Sequence, residues 1–127
     1  MSVLVILWVI FVHWFADFVC QTHWQASNKS KNWLALYRHV TNYTFITALF
    51  LIWIFPLALD FKRDWVPIGL FLLITFTCHF LTDAVTSRIT ARLYTRQDWH
   101  DFFVVVGFDQ FLHYAQLFLT IAWLQSA

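Results

Sequence analysis

The sequence contains no glutamate, and it has only two glycines, two prolines and two cysteines among its 127 residues. So few glycines and prolines leave little turn chemistry for a β-sheet or for long ordered loops. Two cysteines are too few for a disulfide framework. Charged residues make up 12% of the chain, about half of the roughly 25% that is usual in soluble domains. The composition therefore favours an all-α protein outside the ordinary soluble class.

Large apolar side chains are abundant instead. Hydrophobic residues make up 61% of the chain and aromatic residues 21%, including eight tryptophans and fifteen phenylalanines. A water-soluble core of this size cannot bury so many rings, so a bilayer is the natural solvent. The opening stretch has no basic n-region and no A-x-A-like cleavage site, which favours a retained transmembrane helix over a signal peptide. A net charge of +1 gives no indication of nucleic-acid binding, and we expect no nucleic-acid partner.

Four apolar stretches follow one another along the chain. Each is long enough to cross about 30 Å of hydrocarbon at about 1.5 Å per helical residue. We predict a single transmembrane domain over residues 1–127, an all-α bundle of four transmembrane helices. The predicted spans are about 3–20, 33–55, 67–88 and 102–124. The polar segment 22–32 is predicted to be a loop. The localisation that follows is the cell inner membrane, as a multi-pass protein.

Basic side chains gather in two of the three connecting segments. They are Lys29, Lys31 and Arg38 around the first connection, and Arg88, Arg92 and Arg96 around the third. The second connection has Lys62 and Arg63. Because basic loops tend to remain in the cytoplasm, this distribution predicts that the N and C termini both lie on the non-cytoplasmic side.

Histidine and aspartate recur four residues apart inside the apolar stretches. The pairs are His13 with Asp17, His79 with Asp83, and Asp109 with His113. Four residues are about one helical turn, so both members of a pair share a face. Ionisable groups within a membrane generally face the bundle interior or a polar cavity. With His39, these groups all fall in the cytoplasmic half of the predicted bundle, which indicates one shared site.

Imidazole nitrogen and carboxylate oxygen suit zinc, manganese, iron or similar ions. The metal-ligand candidates are His13, Asp17, His39, His79, Asp83, Asp109 and His113. We expect a divalent metal ion, with zinc or manganese favoured. The catalytic candidates are Asp17, Asp83 and Asp109, as ligands, as orienters of a histidine, or as a general base. The spacing leaves open whether the site holds one ion or two, and interhelical hydrogen bonds that only fix the bundle are the structural alternative.

Three functions are compatible with such a cluster. The first is a metal-dependent hydrolase that acts on a lipid or lipid-linked ester in the cytoplasmic leaflet, with Gln21, Arg88 and Gln110 near the substrate or its phosphate. The second is a transporter or channel for a divalent cation or protons, although the outer halves of the spans are almost wholly apolar. The third is a non-enzymatic membrane component whose polar cluster fixes the fold or binds a partner. Membrane lipid is the expected partner, and a homo-oligomer or a partner membrane protein fits each hypothesis.

Four stretches of the chain carry a resemblance to a known family. HWFADFVCQTHW, NKSKNWLALYRHV, HFLTDAVTSRI and FDQFLHY resemble the domain-of-unknown-function 3307 family of small bacterial and phage-associated integral membrane proteins. The resemblance covers nearly the whole chain and implies a polytopic helical protein, without an established activity. The HFLTD element is also similar to the H-x-x-x-D of membrane-bound metal-dependent hydrolases, but the other histidine motifs of those proteins are absent.

Overall fold

The computed structural model describes the backbone of residues 1–58 and 65–126 and the side chains of residues 1–51 and 65–126. Lys62 and Arg63, on which the predicted topology partly depends, lie outside the described residues. The described chain is helical, which confirms the predicted all-α class. Its elements are α1 (Val3–Trp14), a π-helical turn (Phe15–Val19), α2 (His23–Asn28), α3 (Trp33–Ala58), α4 (Trp65–Thr95) and α5 (Trp99–Ser126).

The first predicted span is an α-helix that ends in a wider turn. Ser2 caps α1, where its hydroxyl accepts the backbone N–H of Val5 at 3.4 Å. From Phe15 the backbone hydrogen bonds join residues five apart instead of four. The backbone N–H of Cys20 donates to the Phe15 carbonyl at 3.0 Å. A π-helical turn takes in one extra residue, so it changes the direction in which the following side chains point. Asp17 lies inside this turn and is buried.

The prediction of a loop over residues 22–32 is wrong, because this segment contains the short helix α2. Thr22 and Gln25 form a capping box in which each side chain accepts the backbone N–H of the other, at 3.2 and 2.9 Å. The sequence contains the T-x-x-Q signature of a capping box, but no apolar periodicity follows it that would predict a helix. Asn32 then starts α3, since its side-chain oxygen accepts the backbone N–H of Leu34 at 2.8 Å.

A cluster of buried apolar side chains shows how the long helices are arranged. Its members are Val5, Leu51, Phe71, Leu117, Ile121 and Leu124. They come from the start of α1, the latter part of α3, the start of α4 and the end of α5. These four helix segments therefore lie at one end of the bundle, and consecutive long helices run antiparallel. We call this end the apolar end.

The opposite end of the bundle holds α2 and the tight connection from α4 to α5. Gln97 has a left-handed backbone, with a φ of 58°, and the backbone N–H of Asp98 donates to the Leu93 carbonyl at 3.0 Å. These are features of a closed helix C-terminus. The Asp98 carboxylate then accepts the backbone N–H of Asp101 at 3.3 Å and caps α5. We call this end the polar end.

Two helices, α4 and α5, are long and apolar enough to cross a membrane. In the most apolar 18-residue stretch of each helix, only 22% (α4) and 11% (α5) is buried. Most of that apolar surface therefore faces outward. The described residues thus give two candidate spans where four were predicted. The helical stretch Val3–Val19 is shorter, and α3 carries Arg38, His39 and Asn42 in its first half, while its side chains beyond Leu51 lie outside the described part.

The apolar cluster generates a stability prediction. Ile121 is fully buried, whereas Leu119, two residues earlier on α5, is 71% exposed. We expect Ile121→Ala to lower the free energy of unfolding by about 2–4 kcal/mol, because truncation removes packed methyl groups and leaves a cavity. Leu119→Ala should cost less than about 1 kcal/mol. Denaturant unfolding in detergent micelles, followed by tryptophan fluorescence, measures both, and equal losses would contradict the observed packing.

Candidate metal centre

Helix α4 supplies the two side chains at the centre of the buried polar site. His79 and Asp83 are 1% and 2% exposed. They are four residues apart, so they project from one face of α4, and His79 Nε2 lies 3.6 Å from Asp83 Oδ2. The His79 ring also stacks on the ring of His113, with centroids 4.2 Å apart. Both members of this predicted pair therefore point into the bundle.

Two further helical elements complete a group of four donors. Asp17 comes from the π-helical turn and His39 from α3, and both are buried. His39 Nε2 lies 3.0 Å from Asp17 Oδ1, 3.2 Å from Asp83 Oδ2 and 3.2 Å from His79 Nε2. His79 Nε2 lies 3.5 Å from Asp17 Oδ1. One donor atom from each of the four residues lies within 4.8 Å of the other three. We call these four residues the primary group.

The spacing within the primary group fits a small metal ion. The five separations given above run from 3.0 to 3.6 Å. Ligands at about 2.0–2.1 Å from a tetrahedral zinc ion lie about 3.3 Å from one another. Within the described chain, Asp17 Oδ1 accepts no hydrogen bond, although His39 Nε2 is 3.0 Å away. The short contact is therefore not an aligned N–H···O bond, as expected where both atoms face a common point.

Asp83 also belongs to a second group, with Asp109 and His113 of α5. His113 Nε2 lies 3.2 Å from Asp83 Oδ1 and 3.6 Å from Asp109 Oδ2. Asp83 therefore presents one carboxylate oxygen to the primary group and the other to His113. Asp109 is held in place by the hydroxyl of Thr86 and by the amide of Gln110, which donates to Asp109 Oδ2 at 3.1 Å.

His13 lies next to these groups but is a member of neither. Its Nε2 is 3.1 Å from Gln110 Oε1 and its Nδ1 is 2.9 Å from the Tyr43 hydroxyl. Because an amide oxygen only accepts, the neutral ring carries its proton on Nε2, and Nδ1 accepts from Tyr43. His13 Nε2 is 3.7 Å from Asp17 Oδ2. Both ring nitrogens are thus engaged by Tyr43 and Gln110, and the Gln110 amide in turn donates to Asp17 Oδ2 at 3.5 Å.

Lys29 is a site residue that the sequence analysis missed. Its Nζ lies 2.8 Å from Asp83 Oδ2, and its side chain is 20% exposed. Burial lowers the pKa of Lys29, but the carboxylates of Asp83, Asp17 and Asp109 raise it by more, so the net direction is upward and the ammonium stays charged. Lys29 follows α2 in a connection, where no helical periodicity could point to it.

The formal charge of the site leaves room for a cation. The three carboxylates of Asp17, Asp83 and Asp109 and the one ammonium of Lys29 sum to −2 when the imidazoles are neutral. Buried charge is costly unless it is compensated. One divalent ion would bring the site to neutrality.

A cavity of about 200 Å³ opens beside the carboxylates. Asp17, Lys29, Asp83 and Asp109 line it, and so do the predicted substrate contacts Gln21 and Gln110. Since water in the liquid takes about 30 Å³ per molecule, this space holds several waters or a small polar group. We call it the carboxylate cavity. Arg88, the third predicted substrate contact, instead stacks on Trp33 with its guanidinium carbon 4.0 Å from the ring centroid.

Together, the fold and the site define an all-helical protein whose interior holds a buried cluster of imidazoles and carboxylates. The chain belongs to the family described as "Protein of unknown function (DUF3307)", whose family model matches residues 3–127. The resemblance carried by the four sequence stretches is thereby confirmed. No curated protein and no solved structure matches the chain.

The Lys29–Asp83 ion pair generates a prediction about stability. We expect Lys29→Met to lower the free energy of unfolding by about 2–4 kcal/mol, since it leaves the buried Asp83 carboxylate without its ammonium partner. Lys31→Met is the matched control because the Lys31 side chain is exposed, and it should change stability by less than about 0.5 kcal/mol. Chelator-containing buffer prevents a metal ion from replacing the lost charge. Equal effects of the two variants would show that the ion pair contributes nothing.

Proposed function

We propose that this protein is a metal-dependent hydrolase embedded in the cell inner membrane, acting on a lipid or lipid-linked ester. The observation that carries the proposal is the primary group. It brings two imidazole nitrogens and two carboxylate oxygens from three separate helical elements within 4.8 Å of one another. The five separations of 3.0–3.6 Å are close to the spacing of a tetrahedral ion's ligands.

The outer surface supports the membrane location. Large apolar side chains are exposed along the bundle, among them Leu7, Phe45, Leu73, Phe111 and Leu119 at 58–71% exposure. Soluble monomers rarely expose contiguous apolar patches of more than a few hundred square ångströms. Apolar stretches of this length that face outward are typical of helices in lipid or in contact with another membrane protein, including a second copy of this chain.

The arrangement of the ends supports four spans with both termini on the non-cytoplasmic side. The start of α1 and the end of α5 share the apolar end with parts of α3 and α4. Lys29, Lys31, Arg88 and Arg92 come from the polar end, and basic residues favour the cytoplasmic side. With that orientation the primary group lies toward the cytoplasmic leaflet.

The four residues of the primary group would hold the ion, with zinc or manganese favoured by the imidazole and carboxylate donors. A bound divalent ion would supply Lewis acidity, polarising a phosphoryl or acyl oxygen and making water a better nucleophile at neutral pH. His113 would orient Asp83 through its second carboxylate oxygen, 3.2 Å away. His13, held by Tyr43, would position Gln110, whose amide donates to Asp17 Oδ2 at 3.5 Å.

Asp109 is the best-placed general base among the carboxylates. It lines the carboxylate cavity, is less buried than Asp17 and Asp83, and is outside the primary group. Thr86 and Gln110 fix its orientation. A carboxylate held beside a polar cavity large enough for water can accept a proton from attacking water. Asp17 and Asp83 would then act as ligands.

Ion or proton transfer is the second candidate function. One observation favours it: polar side chains mark a path about one helical turn beyond His79 and His113 toward the apolar end, where Gln116 donates to Thr75 at 3.2 Å and to Thr120 at 3.1 Å. The apolar cluster with Phe71 and Ile121 follows beyond these residues. That cluster closes the path, so the hydrolase is the favoured proposal.

Metal content tests the primary group directly. We expect protein purified in detergent without chelator to contain about one zinc or manganese ion per chain by inductively coupled plasma mass spectrometry. Asp17→Asn and His79→Ala should each reduce this at least tenfold, because a ligand is lost and second contacts are weakened. His23→Ala is the matched control, since His23 is exposed on α2. A wild-type protein without metal after reconstitution with either ion would instead favour the non-enzymatic hypothesis.

Activity of an Asp109 variant separates the proposed base from the ligands. We expect Asp109→Asn to lower kcat by a factor of about 10² to 10⁴ while metal content stays near the wild-type value. The measurement uses fluorogenic phosphate and carboxylate esters presented in mixed micelles. Asp101→Asn, an exposed carboxylate on the same helix, controls for the loss of charge.

Unaltered turnover in Asp109→Asn would rule out its role as base. Metal-dependent ion flux into liposomes, without ester cleavage, would transfer the assignment to the transport candidate.

A further inference from the structure

A second polar feature lies at the polar end, outside the buried site. A cavity of about 460 Å³ is bounded by the connection after α2 and by the C-terminal turns of α4. We call it the basic groove, and the polar residues that line it are Ser30, Lys31, Arg88, Arg92, Thr95 and Arg96. Four of its lining residues are cationic, and none of those lining residues is acidic.

Within the described part of the chain, the cations of the basic groove lack acidic partners. Among the described residues, the side chains of Lys31, Arg92 and Arg96 make no ion pair and no hydrogen bond. Arg92 lies in the last turn of α4, and Arg96 directly follows that helix with its backbone N–H donating to the Arg92 carbonyl at 3.1 Å. The two like charges are therefore about one turn apart and repel each other. An anion in the groove would relieve this repulsion.

Arg88 gives the groove a fixed guanidinium. Its planar group lies over the Trp33 ring at 4.0 Å, and its Nη1 donates to the Ala84 carbonyl at 2.6 Å. A guanidinium that is already positioned loses little freedom on binding, and its remaining N–H groups match the oxygens of a phosphate. The Ser30 hydroxyl and the Lys31 ammonium provide further donors around the same cavity.

The length of α4 places this groove at the membrane surface if the protein spans the bilayer. Helix α4 has 31 residues, which at about 1.5 Å per residue is about 46 Å. The hydrocarbon core is about 30 Å thick. The C-terminal turns that carry Arg88 and Arg92, and Arg96 directly after them, therefore extend to the headgroup level.

The basic groove continues toward the buried site through shared residues. Ser30 and Lys31 also line a neighbouring cavity of about 470 Å³, whose other lining residues include Lys29, Ser87 and Thr90. These last three also line the carboxylate cavity. A group bound in the basic groove is thus connected to Asp83 and Asp109 by adjoining cavities.

We propose that the basic groove binds the phosphate group of an anionic ligand, either the headgroup of a membrane phospholipid or a soluble phosphate ester. The proposed phosphate binding depends only on the residues of the basic groove. The further step, that this ligand class is the substrate of the carboxylate cavity, rests on the proposed hydrolase function. It would narrow the substrate from esters in general to phosphate esters.

The test measures binding of defined probes to the full chain in detergent by microscale thermophoresis. The lipid probe is dioleoylphosphatidylglycerol, and dioleoylglycerol, which lacks the phosphate, is its control. We expect binding of the phospholipid only, and Arg92→Gln and Arg96→Gln should each weaken it about tenfold by removing a charged hydrogen-bond donor. Arg38→Gln is the matched control, since Arg38 lies outside the groove over Trp24, and it should change the Kd less than twofold.

Inorganic phosphate, compared with chloride at equal ionic strength, identifies the source of the phosphate. Displacement of bound phospholipid by millimolar phosphate supports a headgroup site. Saturable phosphate binding by a protein that does not bind the phospholipid supports a soluble ester. Dioleoylglycerol binding as tight as that of the phospholipid, or equal weakening by Arg92→Gln and Arg38→Gln, would overturn the proposal, as would the absence of binding by both phosphate probes.

The Asp17→Asn variant keeps the two proposals apart. If it has lost its metal but binds the phospholipid as the wild type does, the groove is an independent site. If the wild type binds the phospholipid but holds no metal, the hydrolase proposal fails and the groove remains.

Discussion

Compensation of buried charge at Asp83 is the constraint on which the rest of this structure depends. A carboxylate in the interior costs several kcal/mol unless other groups neutralise it. Asp83 meets this requirement with Lys29 at 2.8 Å, His39 at 3.2 Å and His113 at 3.2 Å. These partners come from α3, α5 and the connection after α2. The contacts of this one α4 side chain therefore hold α3, α5 and the connection after α2 against α4.

Two local departures from regular helix make this convergence possible. The π-helical turn carries Asp17, and it is attached to α3 where the Asn42 amide donates to the Cys20 carbonyl at 2.8 Å. The capping box fixes the start of α2, and Lys29 directly follows that helix. The position of α2 thereby places the Lys29 ammonium next to Asp83. Both devices are short. Irregular helical turns of this kind often occur at functional sites, because they direct a side chain where a straight helix could not.

The molecule is divided into two chemically different ends. Apolar side chains from four helices pack at one end, and charged groups occupy the other. In the proposed membrane orientation, this division places the metal-site candidates nearer one leaflet and the apolar cluster nearer the other. The adjoining cavities at the polar end give a charged ligand an approach that avoids the apolar surface. The proposed membrane hydrolase and the proposed phosphate-binding groove together account for these features.

Local pattern and composition were sufficient to predict the helical class, the resemblance to the family and the inward-facing pairs such as His79 with Asp83. The reason is that a spacing of four residues acts through the geometry of a single helix. The number of helices that meet the criteria for a membrane span was not predictable in this way, since four were expected and the described residues give two.

Other features arose only from the tertiary structure. They include the sharing of Asp83 between two groups, the engagement of His13 by Tyr43 and Gln110, and the contact of Lys29 with the site. Each depends on how separate helices are rotated and offset against one another, and on irregular turns that break the periodicity. Residue spacing within one helix carries no information about those offsets.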